Sequence, residues 1–343
     1  MPAAITTVYR RFVGIDIAAA TVTASWASDG DPPGRPRSFA NNREGFAALQ
    51  QWLQADGGTP ATTLVVMEAT GSYWVAVAVA LHEAGDAVAV LNPAQVHHYA
   101  KSDLRRAKTD ALDARLLARF AAERRPAPWS PPPAVYHHLR QRLVARDALL
   151  EMRTAAHNHR HVLLQWPVVV ESVRQQLDEV VASLDGRVAT LEEEIEEVLR
   201  DGAWASSATL LLGIPGIGLL TAAWLLVATV NFSLCPTPEA ATAYAGLAPL
   251  PHESGSSIRS RPSIGRGGNG RLRTALYMAT LSATQHNPVI RPFYQRLRDA
   301  GKPMKVARCA AARKLLHLAW AVVTKARPFE VPKPTAEVLA LAS

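Results

Sequence analysis

The stretch YRRFVGIDIAAATVTASWAS, residues 9–28, holds two runs of apolar and β-branched residues separated by three alanines. Such runs favour β-strands, and the small residues at 18–20 suit a tight turn between them. We therefore predict a β-hairpin that opens a sheet. Asp16 stands at the end of the first run, so its carboxylate is expected at one edge of that sheet.

Strands and helices alternate after this hairpin. Strand-forming residues stop directly before Glu68 and again before Asn92, and two other segments have helical spacing. The strands are predicted in TTLVVMEAT (62–70) and AVAVLNP (87–93), and the helices in REGFAALQQWLQ (43–54) and YWVAVAVALHEAG (73–85). This order indicates an α/β domain that ends at the proline-rich segment RPAPWSPPPA, 125–134.

The segment after the proline-rich linker is expected to be helical. A long basic helix is predicted over 137–166, and the next helix carries a heptad pattern. Its apolar heptad positions are Leu177, Val181, Leu184, Val188, Leu191, Ile195 and Val198. The pattern predicts either a coiled coil between copies or an intramolecular helical hairpin with the same seam.

The remaining chain, from about residue 204, is predicted to be mainly helical with a Gly/Ser/Arg-rich loop at 252–270. Within it GIPGIG, 213–218, indicates either a helix-hairpin-helix turn that holds a phosphate or a tight core turn. The expected domains are an α/β domain over 8–133, a coiled-coil region over 134–203 and a helical domain over 204–330.

Charge is unevenly distributed along the chain, whose formal net charge is +8. Residues 254–327 contain fifteen Lys or Arg and one acid, Asp299, whereas the rest holds 22 basic and 28 acidic residues. A basic C-terminal third beside a mildly acidic remainder is typical of a protein in which one domain contacts phosphates. A solvated cationic face is the alternative.

Two features bear on location. Cys235 and Cys309 are far apart in the sequence and form no C-x-x-C motif, which suits a reducing cytoplasm. The segment 208–232 is uncharged and long enough to span a bilayer, but Pro215 and the glycines around it interrupt the apolar run. We predict a cytoplasmic protein with no membrane partner.

Four carboxylates of the first domain form the candidate site. Asp16 and Glu68 end predicted strands, while Asp110 and Asp113 lie three apart in AKTDALDARLLA, 107–118, on one helix face. Converging acids repel one another unless cations hold them, and hard divalent ions such as Mg²⁺ prefer oxygen ligands. Paired ions stabilise both the attacking and the leaving oxygen in phosphoryl transfer. Each acid alone could instead be a turn former, a helix-start acid or an ion-pair partner.

Several motifs together resemble a known family. They are VGIDIA, VMEATGSYW, VLNPAQVHHYAKSDLRRAKTDALDARLLARFA, GIPGIGLLTAAWL, AYAGLAPLPHESGSS and GRGGNGRLRTALY, in this order over nearly the whole chain. The chain resembles the DEDD transposases of insertion sequences, also described as bridge-RNA-guided recombinases. The resemblance implies a RuvC-like domain of the ribonuclease-H-like fold, central coiled-coil helices and a mainly helical C-terminal transposase domain.

The resemblance also implies catalytic roles. The DEDD acids, expected to bind two Mg²⁺ ions, correspond to Asp16, Glu68, Asp110 and Asp113. Ser254 matches a serine that the family uses as a covalent nucleophile on DNA. Glu253 stands where the family often has another serine, so Ser256 and Ser257 remain alternatives. On spacing alone, this loop is a flexible phosphate-binding segment.

Partners follow from the same resemblance. They are donor and target DNA, an element-encoded guide RNA that selects the sequences, and further copies of the chain in a dimer or tetramer. Cations near the candidate catalytic residues are predicted to bind nucleic acid, namely Lys101, Arg105, Arg106, Lys108, Arg259, Arg261, Arg266, Arg271 and Arg273.

We therefore predict a recombinase that moves its own insertion sequence by cutting and rejoining DNA. A Holliday-junction-resolvase-like nuclease, which would use the acids and water without a covalent serine, is the first alternative. A non-catalytic nucleic-acid-binding protein is the second. A phosphotransferase of the actin-like ATPase fold comes last, because GIDIAAAT, 14–21, lacks the glycine that would receive phosphate.

Overall fold

The computed structural model describes residues 8–102, 109–254, 258–265 and 267–331, with side chains given except at 56, 102 and 250–262. Contacts divide the chain into two compact units, Met1–Pro131 and Pro132–Ser343. Each unit has its own apolar core.

Within the described residues, the first unit is a five-stranded sheet with four α-helices. The strands are β1 (Arg11–Ile17), β2 (Thr21–Ser28), β3 (Arg37–Ala40), β4 (Thr63–Glu68) and β5 (Ala87–Leu91). The helices are α1 (Arg43–Gln54), α2 (Trp74–Glu83), α3 (Pro93–Ser102) and α4 (Asp110–Arg124). The order in the sheet is β3-β2-β1-β4-β5, with β1 antiparallel to β2 and parallel to β4.

The predicted hairpin is confirmed, because β1 and β2 pair around residues 18–20 and the Ala18 N–H donates to the Thr21 carbonyl at 2.8 Å. The strands and helices predicted between 43 and 93 are also confirmed. Sequence patterns missed β3, whose four residues are too few to show an alternation.

Both faces of the sheet are buried. Val13, Ile15 and Met67 belong to a core shared with α1 and α2, while Phe12 and Val66 belong to a core shared with α3 and α4. Successive side chains of a strand point to opposite faces, so Gly14 and Asp16 lie on the α4 side with Phe12. This mixed α/β layering is compatible with a ribonuclease-H-like domain.

The second unit is mainly helical within its described part. Its elements are α5 (Ala134–Leu163), α6 (Glu171–Asp201), α7 (Ala205–Leu212), α8 (Leu219–Thr229), α9 (Pro238–Tyr244), β6 (Pro249–Ser254), β7 (Ile258–Ile264), α10 (Gly270–His286), α11 (Ile290–Asp299) and α12 (Met304–Thr324). One apolar cluster joins α5 and α6 to the helices that follow them, through residues such as Leu139, Ile195 and Leu315.

Helices α5 and α6 form an antiparallel pair within the chain. Arg142 pairs with Glu194 near one end, and Arg160 pairs with Asp178 near the other. The heptad residues Val188 and Ile195 are buried. The described residues therefore show the intramolecular hairpin, whereas a coiled coil between copies is not shown and stays a prediction.

The GIPGIG segment forms the turn between α7 and α8. Gly216 has φ +100°, and a Cβ there would lie 2.5 Å from the Cβ of Ala283 on α10. Asn287, which is fully buried, donates from Nδ2 to the Pro215 carbonyl at 2.9 Å. These contacts favour the core turn over the phosphate-binding turn. Among the described helices, none is both long and apolar enough to cross a membrane.

Candidate active site

Two of the predicted acids lie at the ends of neighbouring parallel strands. Ile15 of β1 aligns with Met67 of β4, so the next residues lie side by side: Asp16 is the penultimate residue of β1 and Glu68 is the last residue of β4. Parallel strands present their carboxyl ends at one sheet edge, where loops position functional groups. Thr70, just beyond β4, donates its hydroxyl to Glu68 Oε1 at 2.6 Å. The sheet therefore brings these two acids together.

The other two acids occupy the first turn of α4. Thr109 caps this helix, since its side-chain oxygen accepts from the Leu112 N–H at 3.3 Å. Asp110 is exposed and Asp113 is half-buried. Acids in the first turn are favoured by the positive end of the helix dipole. The helix start therefore suits both carboxylates.

Gly14 sets the distance between α4 and the sheet. A Cβ at Gly14 would lie 2.1 Å from the Ala118 nitrogen and 2.2 Å from the Ala114 carbonyl oxygen, both in the backbone of α4. Any side chain would thus push the helix away from β1. Because Asp16 follows two residues later on the same face, Gly14 positions the helix that carries Asp110 and Asp113. Sequence reasoning missed this role, since a glycine inside a strand only hints at a close backbone approach.

The other three candidate acids influence the pKa of Asp16. The pKa of Asp16 is raised to about 6, first because the carboxyl is partly buried and then because Asp110 and Asp113 lie near it. Glu68 adds a further small increase, and the Ile17 N–H opposes these effects by donating a hydrogen bond. Among the described residues, the charged groups that raise the pKa of Asp16 are therefore three acids.

The residues fit a divalent cation in chemistry. All four candidate ligands are carboxylates, which divalent cations of this kind prefer. A bound cation would reduce the electrostatic repulsion between them. Within the described ranges, no three His, Cys, Asp or Glu side chains lie close enough to form a complete metal-ligand set.

The serine candidate lies in the second unit. Ser254 is the last residue of β6, and its backbone pairs with Ile258 at the start of β7. The alternatives Ser256 and Ser257 lie outside the described residues. Sequence analysis predicted a loop at 252–270, but β6 and β7 form a hairpin over much of it. This prediction is wrong, because the segment is mostly polar and lacks the alternation of apolar and polar residues that indicates a strand.

A close backbone crossing closes the base of this hairpin. Gly246 (φ +68°) and Gly268 (φ +83°) touch, so that a Cβ on Gly268 would lie 2.5 Å from the Gly246 nitrogen. The Asn269 N–H donates to the Tyr244 carbonyl at 2.7 Å, and Arg273 Nη1 donates to the Gly267 carbonyl at 2.9 Å. The crossing holds both ends of the hairpin on the helical core.

The predicted nucleic-acid-binding cations have different positions. Lys101 is exposed on the last turn of α3, and Arg271 pairs with Asp147 at 2.7 Å and with Glu151 at 3.6 Å. Arg259 and Arg261 lie on β7. The remaining predictions that fall outside the described residues are Arg105, Arg106, Lys108 and Arg266. Arg271 and Arg273 thus each bind protein groups.

Comparisons with known proteins identify the family. A model of DEDD transposases of the IS110 type, described as a transposase, matches residues 13–166. A model described as the transposase IS116/IS110/IS902 family matches residues 208–295. A pilin gene-inverting protein of Moraxella bovis is 33% identical over 327 residues, which cover 94% of this chain and 98% of the relative. The chain belongs to the IS110 family of transposases.

Other IS110-related proteins match in part or in full. A pilin gene-inverting protein of Moraxella lacunata has the same identity and coverage. An IS900 protein of Mycobacterium paratuberculosis is 32% identical over 184 residues, which cover 52% of this chain and 45% of the relative. IS110 transposases are enzymes that act on DNA, and a DEDD domain implies the use of a divalent metal.

Proposed function

We propose that this IS110 transposase cuts and rejoins DNA through Mg²⁺ held by Asp16, Glu68, Asp110 and Asp113, and through a covalent link to Ser254. The convergence of three acids on Asp16 is the observation that supports the metal site. Two ions are proposed, because four carboxylates provide enough oxygen ligands and charge for a pair. The donor and target are double-stranded DNA, consistent with the family.

The proposed covalent step is a phosphoryl transfer. The Ser254 hydroxyl oxygen attacks the scissile phosphorus and forms an O–P bond, while its proton passes to water. The bond from phosphorus to the deoxyribose oxygen breaks, and that oxygen takes up a proton. Attack by a deoxyribose hydroxyl on the phosphoserine reverses these changes and joins a new strand. Bound Mg²⁺ would supply charge stabilisation at the phosphate oxygens.

The first unit's own contribution is to keep the carboxylates together. The strand ends and the capped start of α4 place the acids on one face of the sheet. Partial burial of Asp16 strengthens its interaction with a cation, because it excludes water from one side of the carboxyl. Ser254 is proposed to act on the same phosphate as these acids, within an assembly of copies.

The assembly and the guide belong to the same proposal. Exchange of strands between two DNA segments needs more than one cut, so a dimer or tetramer is proposed, with α5 and α6 as a contact between copies. An element-encoded RNA that pairs with donor and target DNA would select the sites, as the family resemblance implies. Inversion of a DNA segment, for which the Moraxella relatives are named, is one outcome of such an exchange.

The decisive experiment traps the covalent link. The protein is co-expressed with a plasmid carrying the native flanking DNA of its gene, the products are denatured, and any linked peptide is mapped. An adduct at Ser254 that is lost in both Ser254→Ala and Asp16→Ala supports the proposal. Ser256→Ala and Ser257→Ala are the matched controls. Metal-dependent cleavage that persists in Ser254→Ala without an adduct would instead support the nuclease that uses water.

A further inference from the structure

Helices α11 and α12 form an unusually basic part of the second unit. Between residues 290 and 327 there are ten Lys or Arg and one acid, Asp299. The cations are Arg291, Arg296, Arg298, Lys302, Lys305, Arg308, Arg313, Lys314, Lys325 and Arg327. Asp299 accepts a hydrogen bond from Gln295 Nε2 at 2.8 Å. We call this segment the basic hairpin.

In the part of the chain that the structure describes, no ion pair joins a cation of the basic hairpin to a carboxylate. Across the described residues of the second unit, every ion pair lies on α5 or α6, or reaches α5 from Arg271. Exposed cations that merely solubilise a surface are normally interspersed with acids. A segment of this length with one acid therefore presents a positive field that an external anion can neutralise.

Two of these cations are held close to each other. The guanidinium of Arg296 lies 5.5 Å from the ring centre of Phe293, and Lys314 Nζ lies 4.5 Å from the same ring. Burial and the nearby charge of Arg296 lower the pKa of Lys314. Phe293 thus brings like charges from two helices together. A bound phosphate would reduce the electrostatic repulsion between them.

The basic hairpin carries cations along the length of α12. From Lys305 to Lys325 the cations recur along about 30 Å of helix and its end, at 1.5 Å per residue. Lys305 and Lys325 are exposed, and Arg308, Arg313 and Lys314 are half-buried. Because an α-helix turns by about 100° per residue, Lys305 and Lys314 lie on opposite sides of α12. A bound duplex would therefore face only some of these cations.

We propose that the basic hairpin binds the phosphate backbone of duplex DNA, with Arg296 and Lys314 as central contacts. Family membership favours DNA as the polymer, because IS110 transposases act on it. The proposed contact is independent of base sequence, since contacts from lysine and arginine to phosphates carry no sequence information. It goes beyond the proposed function, because it concerns DNA binding and needs neither the metal nor Ser254.

The test is binding of the full-length protein to a labelled 30-base-pair duplex in metal-free buffer, over a range of salt concentrations. In Arg296→Gln/Lys314→Gln, we expect the dissociation constant to rise about 10- to 30-fold near 0.15 M salt. The slope of log affinity against log salt should fall by about 1.8, or 0.9 for each lost phosphate contact. Two unrelated duplex sequences should give the same changes.

The matched control is Arg142→Gln/Arg153→Gln, which removes the same charge from arginines that pair with acids on α6. Its affinity should stay within about threefold of the wild type. Lys314→Arg should retain most of the affinity, because it keeps the charge. Ser254→Ala should bind normally, so failure of the covalent mechanism would not be mistaken for failure of this surface.

Three results would overturn the proposal. Equal losses of DNA affinity in the test and control variants would mean that the net charge of the protein, and not this surface, determines the affinity. Loss of binding to a single-stranded RNA of the same length, with duplex binding intact, would assign the surface to RNA. An unchanged slope would exclude phosphate contacts. If the double variant unfolds in a thermal scan, Arg296→Gln alone provides the comparison at an exposed side chain, with an expected fall in slope of about 0.9.

Discussion

Opposite charges meet along α5 and α6, whereas like charges meet at the ends of β1 and β4. On the helices, Arg142 pairs with Glu194 at 2.7 Å and Arg153 pairs with Asp185 at 2.8 Å. At the sheet edge, three acids in the described part of the chain raise the pKa of Asp16. Compensated charges serve structure and add little stability at a surface. Like charges held near one another cost stability and are typical of sites that bind an opposite charge.

This contrast predicts opposite consequences for the two regions. Removing a charge from the helical pair should slightly lower the free energy of unfolding and leave recombination intact. Removing a charge from the sheet edge should abolish recombination without lowering the free energy of unfolding.

The largest effect is expected for Asp16→Asn. Recombination on a plasmid substrate should fall about 10³-fold, because the site loses a charged ligand for a cation that would stabilise the transition state. The free energy of unfolding of the metal-free protein should not fall, since three acids lose a like-charged neighbour. Recombination assays and urea denaturation measure the two quantities.

Asp185→Asn is the control for that variant, because it removes the same charge from an ion pair with Arg153. Its recombination should stay within about twofold of the wild type. The contrast between the two regions would be wrong if Asp185→Asn lost as much activity as Asp16→Asn.

Gly14→Ala is expected to have the next largest effect. The added methyl would meet the backbone of α4 and should lower the free energy of unfolding by about 3 kcal/mol. Gly186→Ala on α6 is a matched control, because a Cβ there meets nothing within 4 Å. That substitution should raise the free energy of unfolding by about 0.8 kcal/mol. Equal effects in both variants would contradict the close packing of α4 on β1.

A smaller effect concerns pH. The pKa of Asp16 is raised from 3.8 to about 6, so the folded state retains a proton that the unfolded state has lost between these values. Its stability contribution is therefore full below pH 3.8 and is lost as the pH rises through 6. Relative to Asp16→Asn, the metal-free wild type should lose about 1 kcal/mol between pH 4 and pH 8, after allowance for solvent screening.

The buried carboxyl of Asp86 also has its pKa raised to about 6 by burial, but it is present in both proteins and cancels in this difference. Adding Mg²⁺ at pH 8 should restore stability to the wild type and leave Asp16→Asn unchanged. A pH-independent difference between the two proteins would mean that Asp16 has an ordinary pKa.

The smallest effect is expected for the Arg153–Asp185 pair. A double-mutant cycle with Arg153→Ala and Asp185→Ala should give a coupling of about 0.5 kcal/mol at low salt. The coupling should decrease in 1 M salt, because exposed charges are screened. A coupling above 2 kcal/mol would show that these charges determine the stability of α5 and α6. That result would contradict the view that surface ion pairs add little stability here.

Local patterns predicted much of the first unit. The alternating apolar residues of β1 and β2, the alanines between them and the helical spacing of α1 and α2 are all visible within a few residues. The candidate acids were also predictable, because each stands at a strand end or a helix start. Ser254 was proposed only through the family resemblance, since a serine in a glycine-rich loop has no distinctive chemistry of its own.

Long-range contacts were not predictable in the same way. The heptad pattern of α6 allowed a partner in the same chain or in another copy, and only the tertiary contacts with α5 show the former. Arg271 and Arg273 were predicted to bind nucleic acid, yet Arg271 pairs with Asp147 and Arg273 donates to the Ala245 carbonyl, and both partners are distant in sequence.

The sequence by itself determined the order of strands and helices, the basic character of residues 254–327 and the identity of the candidate acids, because these depend on local periodicity and composition. Only the tertiary structure decided which charges are compensated. Whether an arginine meets a carboxylate, or Asp16 meets other acids, depends on how distant backbones approach each other, as α4 approaches β1 at Gly14. Electrostatic interactions depend on distance and burial, which no sequence pattern specifies.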